Sequence, residues 1–187
     1  MEIDEVRQLL ARFQEGYTRR DQTHLDAFMD LFATGNELEV IGTNAVDLGG
    51  DEWCLGPEAV RELVANDWKY WGEVAIGVER ARIQVRGEVA WIATTGTVKD
   101  TIPIDERYTG YLEYVKAVLE DEAMGEQAKT LDLVRLGNDI VLGLPLSKNF
   151  VWPFRFTAVA AKEEGEWRFH QMQFSFATTR SPDVRNE

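Results

Sequence analysis

The chain has 187 residues, room for one ordinary compact domain and too few for two full-sized ones. Hydrophobic residues at 44% against 28% charged exclude disorder for most of it, and 6 Trp, 5 Tyr and 9 Phe need a core or a pocket to hold them. A net charge of −13, scattered along the chain, repels phosphate backbones and anionic lipid heads, so neither nucleic acid nor a membrane is expected as a partner.

Ile3, Val6, Leu9, Leu10, Phe13 and Tyr17 recur at spacings of three and four, which predicts an amphipathic helix over 3–20. Asp21 or Thr23 can cap a second helix carrying Leu25, Phe28, Met29 and Phe32, stopped by Gly35 and Asn36. Residues 37–42 read as a strand, and 52–55 can pair back with it. Gly56 breaks that run, and Pro57 suits the first turn of a third helix striped by Val60, Leu63, Val64, Trp68 and Trp71.

The period then changes to that of strands. Residues 74–85 and 88–100 form a predicted hairpin about Arg86 and Gly87, and 150–162 with 166–178 form another about Glu163, Glu164 and Gly165. The 101–148 segment between them is too long for a plain loop. It carries a helix marked by Tyr108, Tyr111, Leu112, Val115, Val118 and Leu119, and a second one over 123–136, for which Gly137 and Asn138 leave a small hairpin as the alternative. Residues 180–187 form a polar tail expected to fray.

The segments RFQEGYTRRDQTHLDAFMDLFA at 12–33, DEWCLGPEAVRELV at 51–64 and GEWRFHQMQFSF at 165–176 resemble the SnoaL-like branch of the nuclear transport factor 2-like superfamily, which also takes in ketosteroid isomerases. The resemblance implies an α+β fold in which a strongly curved, mostly antiparallel sheet wraps around N-terminal helices as a cone, with a single domain over 1–179. The 101–148 segment lies outside it and reads as a mainly helical insertion that closes or narrows the cone. Ketosteroid isomerase chemistry needs a carboxylate base with a Tyr and a protonated Asp as oxyanion donors. The matching positions fall near Val40, Phe13 and Thr157, so that apparatus is missing unless a neighbour such as Glu39 substitutes.

Alternation on the last strand puts Trp167, Phe169, Gln171, Gln173 and Ser175 on one face. In the SnoaL-like pattern this face looks into the cone, and many relatives place a His where Gln171 or Gln173 stands. The two amides are candidates for holding a polar ligand atom, or equally for satisfying each other in a buried network. Tyr17, Trp53 and Trp91 are candidate pocket walls for a flat apolar or aromatic ligand, and Trp68 suits the core better. Glu52 and Asp51 at the expected rim are candidate general bases if burial raises one of them.

His170 falls on the opposite alternation, and His24 sits beside a cap. Neither pairs with another ligand at metal-binding spacing, so no metal and no cofactor is expected. Cys54 is the single cysteine, which excludes an internal disulfide. No 20-residue apolar span occurs, and the acidic start MEIDEVRQLL lacks the basic region of a signal peptide, so the expected address is cytoplasmic. The leading expectation is a small-molecule binding protein with a cyclase, isomerase or dehydratase activity open to it through a rim carboxylate. The alternative is a non-catalytic association module with a filled cone. Both expect a homodimer through the outer sheet face.

Overall fold

The structure, a computed structural model, describes residues 2–43, 45–50, 52–99, 104–143 and 151–176. Two compact units emerge, one of residues 1–98 with 152–187 and one of residues 99–151. In the first, helix α1 (Glu2–Arg19) buries Val6, Leu9, Leu10, Phe13 and Tyr17, with Glu2, Asp4 and Glu5 in its first turn complementing the helix dipole. Asp21 accepts from the Thr23 N–H and caps a 3₁₀ turn, Gln22–His24, that runs into the short helix α2 (Leu25–Met29). The expected second helix is therefore two short pieces.

Strand β1 (Glu39–Ile41) pairs antiparallel with β2 (Trp53–Leu55), Val40 opposite Cys54. Gly56 follows at a φ of +78°, a conformation glycine adopts without penalty, and opens helix α3 (Gly56–Tyr70) with Pro57 in its first turn. The stretch 74–85, expected as one strand, is two: β3 (Glu73–Ile76) and β4 (Arg82–Arg86) both lie along β5 (Val89–Lys99). The cause is a tertiary contact. From α1, the Arg7 guanidinium donates to the carbonyls of Val78 at 2.5 Å and Glu79 at 3.2 Å, groups a continuous strand would have spent on its ladder.

Strands β6 (Val151–Glu163) and β7 (Glu166–Phe176) form the last hairpin, turned by Glu164 at φ +53° and Gly165 at φ +89°, the left-handed pair that matches strand twist. The seven strands make one curved, unclosed sheet ordered β2-β1-β7-β6-β5-β3, with β4 also on β5 and β1 running parallel to β7. This is the α+β architecture the sequence implied. Helix α1 packs on β3, β4 and β7, and α3 on β1 and β2. Between helices and sheet sits a cluster of rings: Phe13, Phe28, Phe32, Phe154, Phe156, Phe169 and Phe174 are all buried.

The register of β7 corrects the expected inward row. Val159 pairs with Gln171 and Ala160 with Phe169, so His170 is the extra residue of a β-bulge. The bulge shifts the alternation by one. Trp167 and Phe169 are buried before it, Met172 and Phe174 after it, and Gln171 and Gln173 stand on the face away from the core, with Gln173 exposed. Trp91, flanked by buried Ala90 and Ile92, is likewise turned outward and 46% exposed.

The sheet's close packing gives a direct test. A Cβ on Gly96 of β5 would stand 2.9 Å from the Ala75 carbonyl oxygen and closer still to the Phe154 ring. Gly96→Ala is expected to lower stability by about 1–3 kcal/mol in urea unfolding. An unchanged midpoint would show that ring and backbone yield freely.

The second unit is a helix pair, α4 (Ile104–Glu120) and α5 (Glu126–Gly143), packed against each other. The Tyr114 hydroxyl donates to Asp132, and the Lys129 ammonium to the Leu119 carbonyl at 2.9 Å. Helix α5 runs through Gly137 and Asn138, which settles the helix-or-hairpin alternative for helix. Residues 100–103 and 144–150, at the ends of the expected insertion, and the expected tail at 180–187 lie outside the described residues. No described helix is long and apolar enough to cross a membrane.

Candidate functional site

Helix α3 buries Val60, Val64 and Trp68, and helical spacing puts Asp67 on the same stripe, three residues after Val64 and seven after Val60. An acid there faces inward. Its Oδ2 accepts a 2.7 Å hydrogen bond from the Tyr17 hydroxyl, which α1 delivers from the buried side. Burial pushes the Asp67 carboxyl up to about 7, and the negative charge of Glu52 adds to the rise; the Tyr17 hydrogen bond and the Arg20 guanidinium pull the other way without cancelling it. Tyr17 is raised well above its ordinary value by burial, then by the charge and hydrogen bond of Asp67.

Arg20 braces this pair from outside. Its guanidinium donates to the carbonyls of Tyr17 at 3.0 Å and Trp71 at 2.5 Å, and to that of Gly72, tying the end of α1 to the end of α3. The residue itself adopts a left-handed φ of +52°. Arg20 therefore fixes where Tyr17 and Asp67 meet, and its own hydrogen bonds are spent on main-chain oxygens.

Asp67 borders a cleft of about 570 Å³ between β2 and α3. Trp53, Leu55, Leu63, Tyr70 and Trp71 supply its apolar wall, and Glu52 and Glu62 stand on it with Asp67. The Trp53 indole N–H donates to Glu39 Oε1 at 2.8 Å, which sets the plane of that ring. A narrower recess continues past Glu52, Asp67 and Trp71 toward Gly42 and Phe174. Cys54 also lines the cleft, and its thiol is pushed up by burial and then by the charges of Glu52, Asp67 and Glu62, so it stays neutral there.

The structure thus brings together Trp53, Glu52 and, through Asp67, Tyr17. It does not bring Trp91, Gln171 or Gln173 to this cleft, and Asp51 lies outside the described residues. Asp67, Trp71, Glu62 and Tyr70 are wall members that were not among the candidates read from the sequence. At the ketosteroid-isomerase positions Phe13 and Val40 are buried apolar residues and Thr157 is exposed, while the Glu39 carboxylate is engaged by Trp53. Elsewhere, ligand atoms of Glu37, Glu163 and His170 lie within 4.8 Å of one another. Glu163 already lies 3.1 Å from His170 and 3.6 Å from the Arg168 guanidinium, beside the bulge. His24 rests on Asp21 at 2.9 Å, beside the cap, as expected.

The family described as SnoaL-like domain matches residues 6–118, a stretch that reaches into α4, and so into the segment expected to lie outside the resemblance, and stops short of the last hairpin. No curated protein matches the chain. Among solved structures, a Streptomyces avermitilis protein provisionally assigned as a dehydratase of the NTF2-like family is similar at TM-score 0.59 and 10% identity, over 95% of this chain and 97% of that one. A provisional scytalone dehydratase from Novosphingobium aromaticivorans is similar at TM-score 0.55 and 10% identity, over 100% and 95%. A Xanthomonas campestris protein provisionally assigned as a calcium/calmodulin-dependent protein kinase II association domain is similar at TM-score 0.55 and 12% identity, over 93% and 86%. At these identities the likeness is one of fold.

Proposed function

The chain belongs to the SnoaL-like family, whose relatives support a ligand-binding or isomerase- or dehydratase-type role, and on that premise we propose that it binds a small aromatic molecule in the β2–α3 cleft and moves a proton on it through Asp67. The observation that carries this reading is the Asp67 carboxyl, held by Tyr17 on the wall of an aromatic cleft and poised to change protonation near neutrality. A group so tuned serves as base when ionised and as acid when protonated. Trp53 and Trp71 position a ring. Asp67 then takes a proton from a carbon next to a carbonyl and, now a carboxylic acid, returns it either to another carbon of the same conjugated system or to a neighbouring hydroxyl as its C–O bond breaks and water leaves.

Exchange of the α-protons of 2-tetralone in D₂O, followed by ¹H NMR, tests this. The wild-type protein is expected to accelerate exchange, and Asp67→Asn to lose roughly 10²-fold or more of that acceleration, the scale of a lost general base. Exchange that is equal with both proteins would remove Asp67 from the chemistry.

One observation favours the association module instead: among the described residues, the interior between helices and sheet is packed with buried phenylalanine rings. On that reading the outer sheet face, with Trp91, Gln171 and Gln173, would meet a second copy. A wild-type protein that neither binds nor exchanges 2-tetralone and sediments as a dimer would be the module.

A further inference from the structure

The charge of the cleft narrows what it takes. Among the described residues, its wall carries three carboxylates, Glu52, Glu62 and Asp67, and no lysine, arginine or histidine. The Arg20 guanidinium, which acts on Asp67, is spent on the carbonyls of Tyr17, Trp71 and Gly72 and is not part of the wall. Three aromatic residues, Trp53, Tyr70 and Trp71, share that wall, and Glu39 fixes the Trp53 plane. Cys54 shares the wall with these carboxylates, and burial and then the charges of Glu52, Asp67 and Glu62 push its thiol up.

We propose, resting on the cleft as the ligand site, that its ligand is an organic cation: a flat apolar skeleton bearing a protonated amine, seated with the charge between the carboxylates and the faces of Trp53 and Trp71. Two physical terms favour this class. A cleft lined by one sign of charge with apolar walls focuses the field and concentrates the opposite ion. Aromatic faces attract a cation through their ring quadrupole, and more strongly as it loses water. Among the described residues of the wall, an anionic ligand meets three carboxylates and no cationic group. A neutral ligand gains the apolar wall only.

The proposal also links binding to Asp67. The groups acting on its carboxyl are Tyr17 and Arg20 at the end of α1 and Glu52 just before β2, with Glu62 on its own helix sharing the cleft. A cation placed among them favours the ionised carboxylate, so binding drives off the Asp67 proton and activates the base as the ligand arrives. Affinity is then expected to rise with pH below about 7 and to level off above it, where Asp67 is already ionised in the free protein.

The test uses three probes with one skeleton: 2-naphthylmethylammonium, 2-naphthylmethanol and 2-naphthoate, titrated calorimetrically into the whole protein at pH 8 and low salt. The cation is expected to bind about tenfold or more tightly than the alcohol, and the carboxylate to bind weakest. Glu62→Gln is expected to narrow the cation–alcohol gap several-fold, and added salt to narrow it as well. Alcohol and ammonium binding equally, or naphthoate binding best, would overturn the choice of a cation and leave the cleft as ligand site. Absence of binding by all three would overturn both.

Discussion

Asp67→Asn is expected to make the protein more stable at pH 8 than the wild type, by up to about 4 kcal/mol, with the difference vanishing near pH 4. The unfolded chain gives up the Asp67 proton near 3.8, whereas the native protein keeps it to about 7. Between these values the folded state binds the extra proton. The stabilisation that this group contributes is thus complete below pH 3.8, falls as the pH rises, and is lost above about 7. About three pH units at 1.36 kcal/mol each set the magnitude. Asparagine keeps an acceptor oxygen for the Tyr17 hydroxyl and has no charge to bury, so the variant escapes this loss. Urea unfolding from pH 4 to pH 8 compares the two proteins, and titrating groups that do not interact with Asp67 cancel in the difference. Parallel stability curves would show that Asp67 ionises as an ordinary surface acid and would remove the premise of the proposed chemistry. A stabilised variant that also loses 2-tetralone exchange is the signature of a residue kept at a cost to the fold because the site needs it.

Phe13→Ala is expected to lower stability by about 3–5 kcal/mol. Its ring lies 4.8 Å, centroid to centroid, from Tyr17, 5.5 Å from Phe28 and 5.6 Å from Phe169, with Phe32, Phe156 and Phe174 at 6.1 to 6.4 Å. It joins α1 and α2 to β6 and β7 across the interior. Removing it leaves an apolar cavity that rings on three sides cannot close, and such cavities stay dry and accept benzene. Thermal melts with and without benzene are the check: a large drop in Tm, recovered in part by benzene, is expected. A drop below about 1 kcal/mol would mean that the neighbouring rings collapse into the space. Tyr17 sits one turn on, so the same substitution tests whether the ring cluster holds the Asp67–Tyr17 pair in place.

Much of the fold was legible from periodicity. The stripe of α1, the Pro57 start of α3 and the Gly165 turn each rest on interactions within a few residues. The β7 bulge was not inferred, although a trace of it stands in the chain: Phe169 and Met172 are three apart where strict alternation requires two, with His170 and Gln171 between them. Reading the strand as unbroken sent Gln171 and Gln173 inward. The break within 74–85 had a weaker sign in Gly77, and its cause, Arg7, lies some seventy residues away.

Asp67 had its own sign. Val60, Val64 and Trp68 define the buried stripe of α3, and a charged residue at position 67 falls within it, although an acid on a helix usually marks the solvated side. What the sequence by itself determined was the class of the fold and the aromatic, acidic character of its interior and surface, because secondary structure follows local pattern and composition follows from counting. The candidate site was decided by tertiary structure. Tyr17 and Asp67 are fifty residues apart, and their hydrogen bond exists only because the rings beneath α1 and the Arg20 brace fix one helix against the other. The raised Asp67 carboxyl follows from burial and from Glu52, quantities that depend on where the whole chain leaves water, and local sequence does not encode them.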